Sequence, residues 1–228
     1  MRSLDPSDAR CAAGRTGDGP RDLDSGAGQR PAPLPLLTLG LAALALGLHL
    51  LPGAREGLSF DRLAFEAGEL WRLWTGHWVH WSTDHLLWDV GSFVALGIAC
   101  ERRSRARLAA CLVASVLGIG ALVAWGLTDL SHYGGLSGVD CALFALLVSE
   151  LWRERGEGAG RAAPALALAL ALALALKVGF EWTTGQALFV SNLGAGVVPV
   201  PAAHLAGAVV GAVVPLLSAG APAPMENS

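Results

Sequence analysis

Long apolar stretches separated by short polar connections dominate the chain from residue 33 onwards. Six of them predict membrane-spanning helices, at about residues 33–51, 84–100, 107–128, 137–152, 163–180 and 202–219, because about 20 apolar residues cross a bilayer as a helix. The fifth includes Ala165–Leu176, in which Ala and Leu alternate strictly. Alternation ordinarily favours a strand, but both residues are strong helix formers and an open strand in lipid leaves its backbone unpaired. The pattern therefore predicts an all-α polytopic membrane protein, a six-helix bundle.

The composition agrees with this prediction and argues against nucleic acid as a partner. Of the 228 residues, 53% are hydrophobic and 15% are charged, whereas soluble domains carry about 25% charged residues. The net charge of −3 gives no basis for nucleic-acid binding. Neither a cysteine metal site nor a disulfide framework is expected, because the four cysteines lack C-x-x-C spacing and three lie in or beside apolar runs. They are Cys11, Cys100, Cys111 and Cys141.

The polar ends of the chain lie outside the predicted bundle. Residues 1–32 are rich in Gly, Asp and Arg and predict a disordered tail, because so few apolar residues cannot build a core. A secretory signal peptide is the weaker alternative, because this polar stretch is too long for an n-region. The membrane domain is therefore placed at residues 33–219, with a short C-terminal tail at 220–228.

Basic residues indicate which ends face the cytoplasm. Most of the 16 Lys and Arg residues lie before residue 33, between residues 102 and 107, or between residues 153 and 161. The distribution predicts an inner-membrane protein with both termini in the cytoplasm. The first external connection, about residues 52–83, contains Trp71, Trp74, Trp78 and Trp81. It is expected to lie partly in the membrane interface, although a plain aromatic belt would give the same pattern.

A serine flanked by glycines begins the fourth predicted helix. In Gly135-Leu136-Ser137-Gly138, the Ser137 hydroxyl and backbone N–H can both face a small cavity. Backbone donors at a helix N-terminus suit a developing oxyanion. The structural alternative is close helix packing, the usual role of small residues in membrane helices.

A histidine lies on the small-residue face of the sixth predicted helix. Gly207 and Gly211 form a small-xxx-small pattern that lets another helix approach closely. His204 lies one turn before Gly207 and shares its face. An ionisable side chain within an apolar helix is a functional candidate. The alternative is a histidine that only hydrogen-bonds a neighbouring helix or lies at the interface.

A third polar cluster opens the second predicted helix. His85 and Asp89 are four residues apart and therefore share one helix face, which predicts a polar cavity inside the bundle. His77 and His80 lie just before them. A metal site formed by these four residues is a weaker alternative, because their spacing does not match H-E-x-x-H.

Together these motifs resemble the rhomboid family of intramembrane serine proteases. The resemblance rests on Gly-Leu-Ser-Gly at the fourth helix, Ala-His-x-x-Gly-x-x-x-Gly on the sixth, and His80, His85 and a polar residue 89 at the second. Glu69-Leu70-Trp71-Arg72 is also similar to the family's Trp-Arg element. The resemblance implies that membrane-anchored proteins are the substrates and that no cofactor is needed.

The implied mechanism uses a Ser–His dyad without a third acid. His204 would take the proton of Ser137 as the serine oxygen attacks a peptide carbonyl, and would then protonate the leaving amine. His85 and the Ser137 N–H would stabilise the oxyanion, supported by the glycines at 135 and 138.

Two residues depart from the family pattern. Asp89 stands where the family usually has Asn, and an ionised carboxylate cannot donate to an oxyanion. Burial disfavours its ionised form, so residue 89 is expected not to act through its charge. Cys141 stands where the family commonly has a Tyr that packs on the catalytic histidine, and Asp140 precedes it as another candidate buried acid.

The compact layout and the stretch Lys177–Gly185 resemble the rhombosortase subgroup. That resemblance implies cleavage of exported proteins with a C-terminal Gly-Gly, apolar-helix and basic sorting tail. The competing hypothesis is an inactive rhomboid-like protein that binds membrane helices, which retention of Ser137 and His204 disfavours. A transporter or channel has little support, because no inverted repeat or broken helix pair is evident.

Overall fold

The computed structural model describes residues 34–154, 161–194 and 196–218. The predicted tails, 1–32 and 220–228, lie outside the described residues. The elements in chain order are α1 Leu36–Leu50, α2 Ala54–Leu58, β1 Phe60–Asp61, α3 Arg62–Glu66, α4 Arg72–Thr75, α5 Thr83–Arg103, α6 Arg105–Ala121, β2 His132–Tyr133, α7 Ser137–Glu154, α8 Ala162–Thr184 and α9 Pro201–Ser218. A 3₁₀ turn, Gly76–Trp78, follows α4, and a π-helical turn, Leu122–Gly126, continues α6.

Each of the six predicted spans contains a long helix, but the helices differ in how apolar they are. By length and composition, Arg105–Gly126 and Ala162–Thr184 can cross a membrane on their own, while α1 and α9 are shorter apolar helices. The Ala/Leu alternation is helical as expected, and most of α8 is exposed on the outside of the bundle. By contrast, α5 and α7 carry buried acidic residues, which lowers their hydropathy.

Serine side chains fix where the polar helix α5 begins and where it passes into α6. Ser82 precedes α5 and accepts a hydrogen bond from the His85 N–H. Ser104 lies between α5 and α6 and accepts from the Arg107 N–H. These caps satisfy N–H groups that would otherwise be unpaired at helix starts.

The connection between α1 and α5 folds into short helices and contributes one strand of a two-residue ladder to the mostly helical structure. Phe60 pairs with Tyr133 in the antiparallel β1–β2 ladder. The Arg72 guanidinium, only 8% exposed, donates to the carbonyl oxygens of Glu56 and Ser59 at 2.9 and 2.7 Å. The connection is therefore anchored to the segment just before α7.

The closest helix contact in the bundle is between α7 and α9. A Cβ atom added at Gly207 would overlap the carbonyl oxygen of Gly138, and one added at Gly211 would overlap that of Ala142. Both pairs are spaced by four residues, so two successive turns of the helices are in backbone contact. The small-xxx-small pattern therefore lies in this contact, where the first turn of α9 approaches the start of α7.

This contact predicts that Gly207→Ala destabilises the fold by about 1–3 kcal/mol, because the new methyl group must displace backbone rather than a flexible side chain. Thermal unfolding in detergent should show the loss. Gly91→Ala is the matched control, since Gly91 lies on α5 with nothing within 4 Å of an added Cβ. That variant should be neutral or gain up to about 1 kcal/mol from helix propensity. Equal stability of the two variants would contradict the packing argument.

Candidate active site

A cavity of about 1000 Å³ lies among α5, α7, α8 and α9. Ser137 and His204 line it, together with His85, Asp89 and Glu181. Its wall also includes residues of the connection between α8 and α9. Polar side chains from four helices therefore face one space inside the bundle.

Ser137 and His204 are in hydrogen-bond contact within this cavity. Ser137 Oγ lies 2.8 Å from His204 Nε2. His204 is 4% exposed, whereas Ser137 is half-buried at the first position of α7. A hydroxyl bonded in this way to an imidazole nitrogen can pass its proton to the ring as it attacks an electrophile.

The turn before Ser137 is held against α5 by Asp89. Asp89 Oδ2 accepts hydrogen bonds from the backbone N–H groups of Leu136 and Ser137, at 2.8 and 3.1 Å. Gly135 makes this approach possible, with φ at 112° and no space for a Cβ beside His85 and Asp89. A side chain there would be strained by both the backbone conformation and the contact.

Two histidines surround the same carboxylate oxygen. Nε2 of His85 lies 3.1 Å and Nε2 of His80 lies 3.3 Å from Asp89 Oδ2. The predicted oxyanion groups, His85 and the Ser137 N–H, are thus brought together, but both face Asp89. Asp89 therefore accepts hydrogen bonds from the turn and lies within ion-pair distance of both histidines.

His77 does not join this group. Its ring packs edge-on against Tyr133, with centroids 5.4 Å apart, and complete burial lowers the pKa of His77 to about 4. Within the part of the chain that the structure describes, no group of three His, Cys, Asp or Glu side chains is arranged to hold a metal ion.

The connection from α8 to α9 lines the cavity and is attached to the start of α5. Asp84 Oδ2 accepts hydrogen bonds from the backbone N–H groups of Ser191 and Asn192, both at 2.9 Å. The rings of Trp88 and Phe189 stack with centroids 5.6 Å apart. This connection is therefore held to α5 by hydrogen bonds at Asp84 and by aromatic packing at Trp88, one turn further along the helix.

An acidic side chain that the sequence analysis did not single out lies next to His204. Glu181 Oε2 is 2.7 Å from His204 Nδ1, and the Lys177 ammonium donates to Oε1 and Oε2 at 2.8 and 2.9 Å. The fifth span was predicted to end at residue 180, but α8 continues to Thr184. Glu181 is therefore on the helix. The i,i+4 spacing of Lys177 and Glu181 was the signal that could have placed both inside the bundle.

Gly138, the remaining residue of the predicted site, lies where α7 packs against α9. Gly138 lies where an added Cβ would be 3.1 Å from Tyr133 Oη and 3.3 Å from the Ala203 carbonyl oxygen. Its carbonyl oxygen also faces Gly207. This residue therefore allows α9 to approach Ser137.

Comparison with known proteins identifies the family. A rhomboid-domain family model matches residues 67–220, which is more than half of the chain and includes the serine, the histidine and α5 to α9. Helix α1 lies before the matched stretch. A search of curated proteins gives no match. The protein belongs to the rhomboid family of integral membrane proteins.

Proposed function

We propose that the protein is an intramembrane serine endopeptidase in which Ser137 is the nucleophile and His204 is the general base. The observation that carries the proposal is the 2.8 Å contact between Ser137 Oγ and His204 Nε2 inside a cavity. The family is one of serine proteases in general and acts on membrane-protein substrates. The substrates proposed here are membrane-anchored proteins, cut in or beside their transmembrane segment.

The reaction follows from this contact. His204 Nε2 takes the hydroxyl proton while Ser137 Oγ forms a bond to the carbonyl carbon of the scissile peptide. The tetrahedral intermediate then expels the amine, which takes the same proton from His204 and leaves an ester on Ser137. A water molecule in the cavity, activated in turn by His204, hydrolyses the ester and restores the serine.

Asp89 supports the nucleophile's turn in this mechanism. In the free protein its carboxylate holds the N–H groups of Leu136 and Ser137. A substrate oxyanion would compete with it for the Ser137 N–H, while His85 lies beside both groups. Asparagine, usual in the family at this position, would add an N–H donor that aspartate lacks when ionised.

The dyad is tested with Ser137→Ala and His204→Ala. Each variant should lose proteolysis of a transmembrane reporter by at least about 10³-fold, because the nucleophile or its base is missing. A fluorophosphonate probe should label the unaltered protein at Ser137 and neither variant. Thermal unfolding in detergent checks that both variants fold. If the unaltered protein binds membrane helices but neither cuts nor reacts with the probe, the inactive rhomboid-like alternative holds instead.

Asp89→Asn should keep kcat/KM within about tenfold, because the amide oxygen can still accept from one or both backbone N–H groups. Asp89→Ala should lose more, since two buried donors are left without a partner at about 1–3 kcal/mol each. Cleavage assays on both variants measure the difference. An inactive Asn variant would show that the acid itself has a chemical role.

For topology, we propose six spans with both termini cytoplasmic, supported by the distribution of basic residues. Cys11 should then be protected from an impermeant thiol reagent added to intact cells. The signal can be assigned to it, because Cys100, Cys111 and Cys141 are buried, and Cys11→Ser provides the blank. Labelling of Cys11 from outside would show that the N-terminus is external and that the proposed orientation is wrong.

For the substrate, we propose an exported protein with a Gly-Gly pair before a C-terminal apolar helix and basic tail. A membrane helix has its carbonyl groups hydrogen-bonded and shielded, so it must unwind to be cut. Each glycine makes the helix about 1 kcal/mol less stable than an alanine would, which favours unwinding at that boundary. Glycines also carry no side chains to collide with the turn at Gly134 and Gly135.

A reporter with this tail tests the substrate proposal. Co-expression with the active protein should release the reporter, and mass spectrometry should place its new C-terminus near the glycines. The Ser137→Ala variant is the control for other proteases. Replacement of Gly-Gly by Leu-Leu should block release. Equal cleavage of the Leu-Leu reporter, or cleavage of a generic rhomboid substrate alone, would leave only the broader protease function.

A further inference from the structure

A continuous line of polar contacts runs from α8 through His204 to the serine. Lys177 contacts Glu181, Glu181 Oε2 contacts His204 Nδ1 at 2.7 Å, and His204 Nε2 contacts Ser137 Oγ at 2.8 Å. Glu181 is 2% exposed and His204 is 4% exposed. Both nitrogens of the imidazole ring are therefore engaged, each by a group of different chemistry.

The carboxylate determines which ring nitrogen carries the proton. An ionised Glu181 can only accept a hydrogen bond, so Nδ1 of His204 must donate to it. In a neutral imidazole, Nε2 is then the unprotonated nitrogen. That is the nitrogen beside Ser137 Oγ, and a general base must be unprotonated at the atom that receives the proton.

The Lys177 ammonium is the counterion that keeps the buried Glu181 carboxylate ionised. A buried charge without a partner is costly, and removing one member of a buried ion pair leaves the other uncompensated. The Lys177 ammonium reaches both carboxylate oxygens from one turn earlier on α8. Its side chain is 22% exposed against 3% for that of Glu181, so the cation lies on the more accessible side of the pair.

We propose that Glu181 is a positioning residue that holds His204 in the tautomer and orientation required to activate Ser137, and that Lys177 holds Glu181. This inference rests on the proposed protease function and adds a third member, with its own counterion, to the dyad. The substrate and the bond that is cut are unchanged by it.

Glutamine at position 181 is the most direct test. Its amide has a single acceptor oxygen, while Lys177 and His204 both need one. If Lys177 takes the oxygen, the amide NH₂ faces Nδ1 and favours a proton on Nε2. Glu181→Gln should therefore lower kcat by up to about 10⁴-fold, the size of the loss when the orienting acid of a Ser-His-Asp triad is replaced. KM should change little, because residue 181 does not bind substrate in this proposal.

Two further variants separate positioning from general damage. Glu181→Asp keeps the charge on a shorter side chain and should recover at least about tenfold of the kcat lost in the Gln variant. Lys177→Met alone should lower kcat by about tenfold, the size of one charge-assisted hydrogen bond. In the Glu181→Gln background, the same change should cost no more than about twofold, because the ionised carboxylate that Lys177 stabilises is already absent.

Glu150→Gln is the matched control. Glu150 is 6% exposed on α7 and pairs with Arg107, with Nη2 2.9 Å from Oε2. This is the same isosteric change to a buried ion pair, but outside the residues that line the cavity. It should alter thermal stability at least as much as Glu181→Gln while leaving kcat within about twofold.

A direct observation of the tautomer makes the proposal independent of turnover. Ring ¹⁵N chemical shifts of His204, assigned with a His204→Gln sample, should show Nδ1 protonated in the unaltered protein. The Glu181→Gln variant should shift protonation toward Nε2. Protonation on Nε2 in the unaltered protein, or unchanged kcat in Glu181→Gln, would overturn the proposal. Failure of the protease function itself would instead appear as undiminished cleavage by Ser137→Ala.

Discussion

The backbone contact between α7 and α9 is the constraint on which the site depends. Lipid chains are as apolar as the helices, so helices in a membrane associate through close packing rather than through the hydrophobic effect. Gly207 against the Gly138 carbonyl, and Gly211 against that of Ala142, leave no space for a Cβ atom between the two helices. One turn earlier on α9, this approach leaves His204 Nε2 2.8 Å from Ser137 Oγ. A wider spacing of the two helices would separate Ser137 Oγ from His204 Nε2.

Polar groups inside an apolar bundle must find their partners within the protein. Glu101 accepts from the N–H groups of Leu37 and Thr38 at the start of α1, and the Arg62 guanidinium donates to carbonyl oxygens within the π-helical turn. These contacts join the bundle outside the cavity. By contrast, Asp140 Oδ1 and the Tyr133 hydroxyl are buried without a hydrogen-bond partner in the described part of the chain. Both residues belong to the cavity wall, but these two atoms are not exposed to it.

The sequence alone predicted the helices and the main cluster well because each signal was local. Apolar length marked the six stretches, and the spacing of His85 and Asp89 placed both on one face of α5, where they meet. What could not be predicted depended on contacts between distant segments. The pairing of β1 with β2 joins residues 60 and 133, and the role of Asp89 as acceptor for the turn before Ser137 joins α5 to α7. Glu181 was missed for a different reason, because hydropathy ended the fifth span four residues too early.

The contact between Glu181 and His204 also bears on the cysteine at position 141. In the pattern that this chain resembles, a tyrosine at that position packs on the catalytic histidine and limits its orientation by contact. Cysteine is smaller and has no ring to stack, so the histidine needs another restraint. A carboxylate bonded to Nδ1 restrains the ring by direction and charge, and it also selects the tautomer, which ring packing does not do. The cost of burying that carboxylate is offset by Lys177. In the proposed arrangement, the Lys177–Glu181 pair restrains His204, and position 141 carries no tyrosine to do so.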